Sequence, residues 1–172
     1  MQKKLKIKNK KAQQILGLSF STIFSIFLII FFIIIAIIVI NAFLKTQNCS
    51  KLGLFLEDFQ NEIDIAWNSQ KYISQFKSNL PSNIEYVCFV NLSREINNNL
   101  EMIREAELYA EENSNFFFYP TKNSCEIPAH FLKHLNINQI TSVENPYCIA
   151  IESKTIEFQI KKELNQALVT IV

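Results

Sequence analysis

From Ile23 to Ile40 only Ser25 is polar, and no charged residue stands between Lys11 and Lys45. A helix rising ~1.5 Å per residue carries such a run across a ~30 Å hydrocarbon core. A helix facing water keeps a polar side, and this stretch has none. The pattern predicts a membrane span within residues 13–44, followed by a second kind of helix. Leu52, Phe55, Leu56, Phe59, Ile63, Ala66 and Trp67 recur at spacings of three and four, which marks one apolar stripe. Glu57, Asp58, Gln60, Asn61, Glu62 and Asp64 fill the other face. A stripe of this kind must be covered, and residues 45–172 supply the domain that covers it. Gly53 and Asn48-Cys49-Ser50 are expected to kink or interrupt the helix.

Beyond Asn68 the period changes. Tyr72, Phe76 and Leu80 alternate with polar residues, either as a strand or as a helical extension. Leu80-Pro81-Ser82-Asn83 reads as a turn with Pro81 in its second position. Ile84–Val90 is rich in β-branched and aromatic residues, so a strand is expected there, in a hairpin with the preceding run. A surface helix is expected over Leu100–Ala110 and a buried strand over Phe116–Tyr119. Tyr147–Glu152 and Thr155–Ile160 flank Ser153-Lys154 as a tight hairpin, and Ala167–Val172 adds a third strand. The fold class is α+β: a long N-terminal transmembrane helix continuing into an amphipathic helix packed on a small antiparallel sheet. The 172 residues leave room for one small domain outside the span, and with Gly present only twice, Asn is expected at positive φ.

Charge assigns the two ends to opposite sides. Lys3, Lys4, Lys6, Lys8, Lys10 and Lys11 precede the span with no acid among them. Removing these six from the 17 basic residues leaves 11 against 16 acids, a net of −5 for the rest. Basic flanks stay cytoplasmic, so residues 1–12 read as a cytoplasmic leader and the domain as extracellular. The lysines also suit anionic lipid, whereas an acidic outer domain repels phosphate backbones; no nucleic-acid partner is expected. A cleaved secretory signal has a shorter apolar core and a small-x-small site, and Asn41-Ala42-Phe43-Leu44-Lys45 offers none.

Lys10-Lys11-Ala12-Gln13-Gln14 followed by the apolar run resembles the class III signal of archaeal type IV pilins and pilin-like proteins. The resemblance covers about the first forty residues. It implies cleavage between Ala12 and Gln13, retention of the helix in the mature protein, and a membrane helix running into an amphipathic helix that packs on a sheet. Many pilins carry Glu at the fifth mature position, where this chain has Gly17. Without the resemblance, the same segment reads as an uncleaved anchor oriented by its lysines. Gly17, Ser21 and Ser25 lie four apart, a spacing that lets two helices approach in lipid. The partners expected are therefore the bilayer and, through that helix, other copies or pilin-like subunits.

Cys49, Cys88, Cys125 and Cys148 all follow the span, in an oxidising space, and none forms a C-x-x-C pair. Cys88 and Cys148 occupy strand-like runs that can bring them together, which leaves Cys49 for Cys125. His130 and His134 are four apart, the spacing of a zinc pair on a helix, but Phe131 replaces the Glu of the metalloprotease motif. Neither a phosphate loop nor a nucleophile elbow is present. The acids of the amphipathic helix read as a solvated face, and neither enzyme, cofactor nor metal is expected. Asn48-Cys49-Ser50 and Asn91-Leu92-Ser93 match the N-glycosylation pattern, with Asn91 the preferred acceptor. The function class is an anchored pilin-like structural or interaction protein, or else an anchored ligand-binding or accessory module of a membrane complex.

Overall fold

The computed structural model describes residues 20–98, 100–108, 113–125 and 127–172. The lysine-rich leader, Ala12, Gln13 and Gly17 lie outside them. The chain divides into two compact units, Met1–Leu44 and Lys45–Val172. Helix α1 (Phe20–Asn68) is continuous. The interruption expected at Asn48-Cys49-Ser50 and Gly53 does not occur. Leu52, Phe55 and Leu56 around Gly53 are all buried, and such packing outweighs the ~1 kcal/mol cost of one helical glycine.

In the first unit the described side chains from Ser21 to Leu44 are exposed, except half-buried Leu28. In the second, the stripe Leu52, Phe55, Leu56, Phe59, Ile63 and Ala66 is buried, while Trp67, assigned to it by spacing, is 39% exposed. Trp67 lies in the last turn of α1.

Two antiparallel sheets cover the stripe, where one was expected. The first has β1 (Tyr72–Asn79), β6 (Thr155–Lys162) and β7 (Thr170–Ile171) in the order β1-β6-β7. The second has β4 (Ala129–His130), β3 (Phe116–Tyr119), β2 (Tyr86–Phe89) and β5 (Tyr147–Ala150) in the order β4-β3-β2-β5. Helices α2 (Leu100–Glu107) and α3 (Ile137–Ile140) and a 3-10 turn at Thr121–Asn123 join them.

This topology corrects two local expectations. The β1 and β2 strands do not form a hairpin: β1 pairs with β6 over its whole length, and β2 lies between β3 and β5. Pro81 opens the intervening turn instead of taking its second position, since Ile84 N–H donates to Pro81 O at 3.1 Å. The Ser153-Lys154 turn does form, with φ of 51° and 68°, but only the Glu152–Thr155 bridge closes it. Its arms then part into different sheets, because β5 and β6 each find a longer partner elsewhere.

Phenylalanine fills the space between the sheets. Phe59 of α1 lies 5.1 Å, centroid to centroid, from both Phe76 of β1 and Phe158 of β6, and 6.1 Å from Phe89 of β2. Phe55 meets Phe118 of β3 at 5.7 Å. Two helix side chains one turn apart thus touch both sheets, with ring separations in the range of favourable aromatic pairs.

The asparagines serve differently from expectation. Among the described residues five non-glycine residues have positive φ, and of these only Asn165 is an asparagine; the others are Cys125, His134, Ser153 and Lys154. Buried asparagines instead act as spare peptide groups. Asn115 donates to Leu132 O and accepts from Leu132 N–H, both at 2.8 Å. Asn145 exchanges the same pair of bonds with Asn91, both at 2.9 Å, and also donates to Glu95 O at 3.1 Å. Loops that lack strand partners have their backbone groups satisfied this way.

Candidate functional site

Disulfides fasten the second unit at two points. Cys88 and Cys148 face each other across β2 and β5 with Cα atoms 4.1 Å apart. Glu85 O accepts from Ile151 N–H next along that ladder, which makes Cys88–Cys148 a non-hydrogen-bonded pair, the closer of the two antiparallel spacings. Cys49, on α1 four residues past Lys45, is bonded to Cys125, which turns at φ 62°. This second bond ties the loop after the 3-10 turn to the start of the unit's helix. No described cysteine is free.

At the other end of α1, Lys162 of β6 is only 9% exposed and its ammonium donates to Trp67 O and, at 2.8 Å, to Ser69 O. A cation on otherwise orphaned carbonyls is the favoured cap for a helix C-terminus. Beside it, the His134 imidazole stacks on the Trp67 indole with centroids 3.8 Å apart and planes 11° from parallel. Its Nε2 is 3.9 Å from the Asp64 carboxylate. Spacing gave no hint of this contact, since Trp67 and His134 are far apart in sequence.

The histidines do not share a helix face. His130 is in strand β4 and His134 in the left-handed turn after it. Desolvation on its inner side pushes the His130 imidazole below its ordinary value of 6.5. Among the described residues no three His, Cys, Asp or Glu side chains converge as a metal site. Glu57 and Asp58 are exposed. Glu62 accepts from the Tyr72 hydroxyl, and this bond raises the phenol above 10.0. Asp64 accepts from Gln60 at 2.7 Å.

Of the two candidate glycan acceptors, Asn91 is the more enclosed. Asn91 is buried, its Nδ2 donates to Asn138 at 2.7 Å, and its Oδ1 accepts from Ser93 N–H at 3.0 Å. A sugar on that nitrogen requires the loop to come apart, whereas Asn48 is half-buried. On the apolar segment, the Ser25 hydroxyl donates to Ser21 O at 2.7 Å, so that hydroxyl is spent within its own helix.

Among the described residues an open groove of about 520 Å³ lies beside Trp67 and Lys162. A second, of about 660 Å³, runs along β5, the end strand of its sheet, and is walled by Tyr147, Ile149, Lys77 and Glu157. The Lys77 ammonium contacts the Glu157 carboxylate at 2.8 Å and, by donating to it, holds it below the usual range for Glu. A third, of about 480 Å³, is lined by Lys45, Thr46, Cys49, Lys122, Cys125 and Ile127. Lys122 reaches it from the 3-10 turn, a position that sequence spacing gives no means of assigning. Helix Ser21–Asn68 is long and apolar enough to cross a membrane, and none of its most apolar window is buried. No protein family, curated protein or solved structure matches the chain.

Proposed function

We propose that the protein is a single-pass, membrane-anchored subunit of pilin-like design, its disulfide-bonded α+β domain held outside the cell by the first part of α1. The observation that carries the anchoring is the apolar stretch from Ile23 to Leu44, exposed on every side. Water contact on that much apolar surface costs about 25 cal/mol per Å², and lipid removes the cost without any other part of the chain. Two disulfides fit a non-reducing compartment, and the leading lysines fit a cytoplasmic N-terminus. The Lys-Lys-Ala-Gln segment and an anchor running into a core helix support the pilin-like reading.

Intact-mass and N-terminal measurement on protein from native membranes tests it. The reading expects a mature chain beginning at Gln13 and surface filaments that disappear on deletion. A chain beginning at Met1, with a bare cell surface, rejects the pilin-like role and leaves the anchor. A second reading, an anchored binding module, draws on the groove along β5, the end strand of its sheet. Capture of a stoichiometric, non-identical partner from gently solubilised membranes, lost on Ile149→Glu, supports that reading; copies of the chain alone argue against it.

A further inference from the structure

We propose that the groove between α1 and the Cys125 loop holds the headgroup of an anionic phospholipid, with Lys45 and Lys122 as its two phosphate ligands. The inference rests on the anchoring reading above and names a lipid for it. Lys45 is the first charged residue after the apolar run, so the groove begins where that run ends. Lys122 comes from the 3-10 turn seventy-odd residues later, and the Cys49–Cys125 bond holds its loop against the same helix. Both lysines are exposed, and neither has an ion-pair partner among the described residues.

Glu126, between Cys125 and Ile127 in sequence, lies outside the described residues; the described lining carries no charge besides the two lysines. It is otherwise the disulfide, Thr46 and half-buried Ile127, the last packed against the core. Two cations over an apolar floor match a lipid better than a free anion: the ammonium groups meet the phosphate while the glycerol and upper acyl carbons lie on Ile127 and the sulfurs. Free phosphate would gain only the charges, against full competition from water and salt. Each lysine near such a surface contributes several-fold to anionic-lipid affinity.

The test uses the full chain, purified in mild detergent from membranes containing both phosphatidylglycerol and phosphatidylcholine, with retained lipids counted by native mass spectrometry. Wild type is expected to keep phosphatidylglycerol over phosphatidylcholine, and Lys45→Gln with Lys122→Gln to lose that preference by roughly tenfold. Lys51→Gln, on the same helix but outside the groove, is expected to change nothing, which separates the groove from general charge and from the N-terminal lysines. Unchanged non-reducing gel mobility and circular dichroism show that the double variant is folded. Equal retention of both lipids, or equal loss in Lys51→Gln, overturns the proposal. Displacement of the lipid by millimolar inorganic phosphate overturns the lipid assignment in favour of a free-phosphate site. Resistance to alkaline carbonate is measured on the same membranes. A chain that stays in the pellet but ignores headgroup charge refutes the groove alone, and a chain that is released refutes the anchor.

Discussion

Helix α1 contains two segments whose apolar side chains are arranged differently, and they behave in opposite ways. Around Ile34, which is 52% exposed, every side of the helix is greasy and nothing among the described residues covers it. Around Phe59, which is 0% exposed, only one stripe is greasy and two sheets enclose it. The difference is one of pattern. All-round apolarity calls for a solvent of hydrocarbon, whereas apolarity every third or fourth residue calls for a partner surface.

The largest expected effect breaks the comparison at its ends. Phe59→Ala empties the meeting point of both sheets and is expected to cost about 3–5 kcal/mol in denaturant unfolding of the detergent-solubilised chain. Ile34→Ala is expected to leave that midpoint where it is. Equal losses would mean that the two segments share one core.

Next in size is the Cys49–Cys125 bond, with a sequence separation of 76. Replacing both by Ser is expected to lower stability by about 4 kcal/mol on the loop-entropy account, read from the same unfolding curves. A loss below about 1 kcal/mol would place the tie outside the folding unit.

A smaller effect belongs to the helix end. Lys162→Met keeps the bulk but leaves the Trp67 and Ser69 carbonyls without their cation, and about 2 kcal/mol is expected to be lost. Amide exchange of the last turn of α1 should rise with it, and an unchanged exchange rate would remove the cap from the account.

The smallest effect has the opposite sign. A Cβ built on Gly53 meets nothing within 4 Å, so Gly53→Ala is expected to add about 0.5–1 kcal/mol through helix propensity alone. Destabilisation would show that the helix needs to bend there.

These effects also mark what the residues disclosed in advance. A period-3.6 stripe located the second half of α1 and alternation located β6, because each buries one face, whereas β2 and β3 showed as short runs of apolar, β-branched and aromatic residues and are buried on both faces. Sheet membership was not legible. Glu152-Ser153-Lys154-Thr155 carries the chemistry of a hairpin turn, yet β5 and β6 part after one bridge, since pairing depends on which distant strands bury more Phe and Ile. Cys88 and Cys148 could be connected through their strand-like surroundings, whereas Lys122 and the Trp67–His134 stack could not, because loops bring them into place. Asparagine misled for a related reason: its side chains satisfy loop backbone in Asn91, Asn115 and Asn145, a use that depends on burial and leaves no periodic trace.

Alkaline-carbonate fractionation of cells expressing the untagged full-length chain tests the central claim most directly, with maleimide mass-tagging of unreduced protein on the same fractions. The account predicts that the chain remains in the membrane pellet and that its four cysteines take no tag until a reductant is added. Recovery in the supernatant, or immediate tagging of the cysteines, would contradict it.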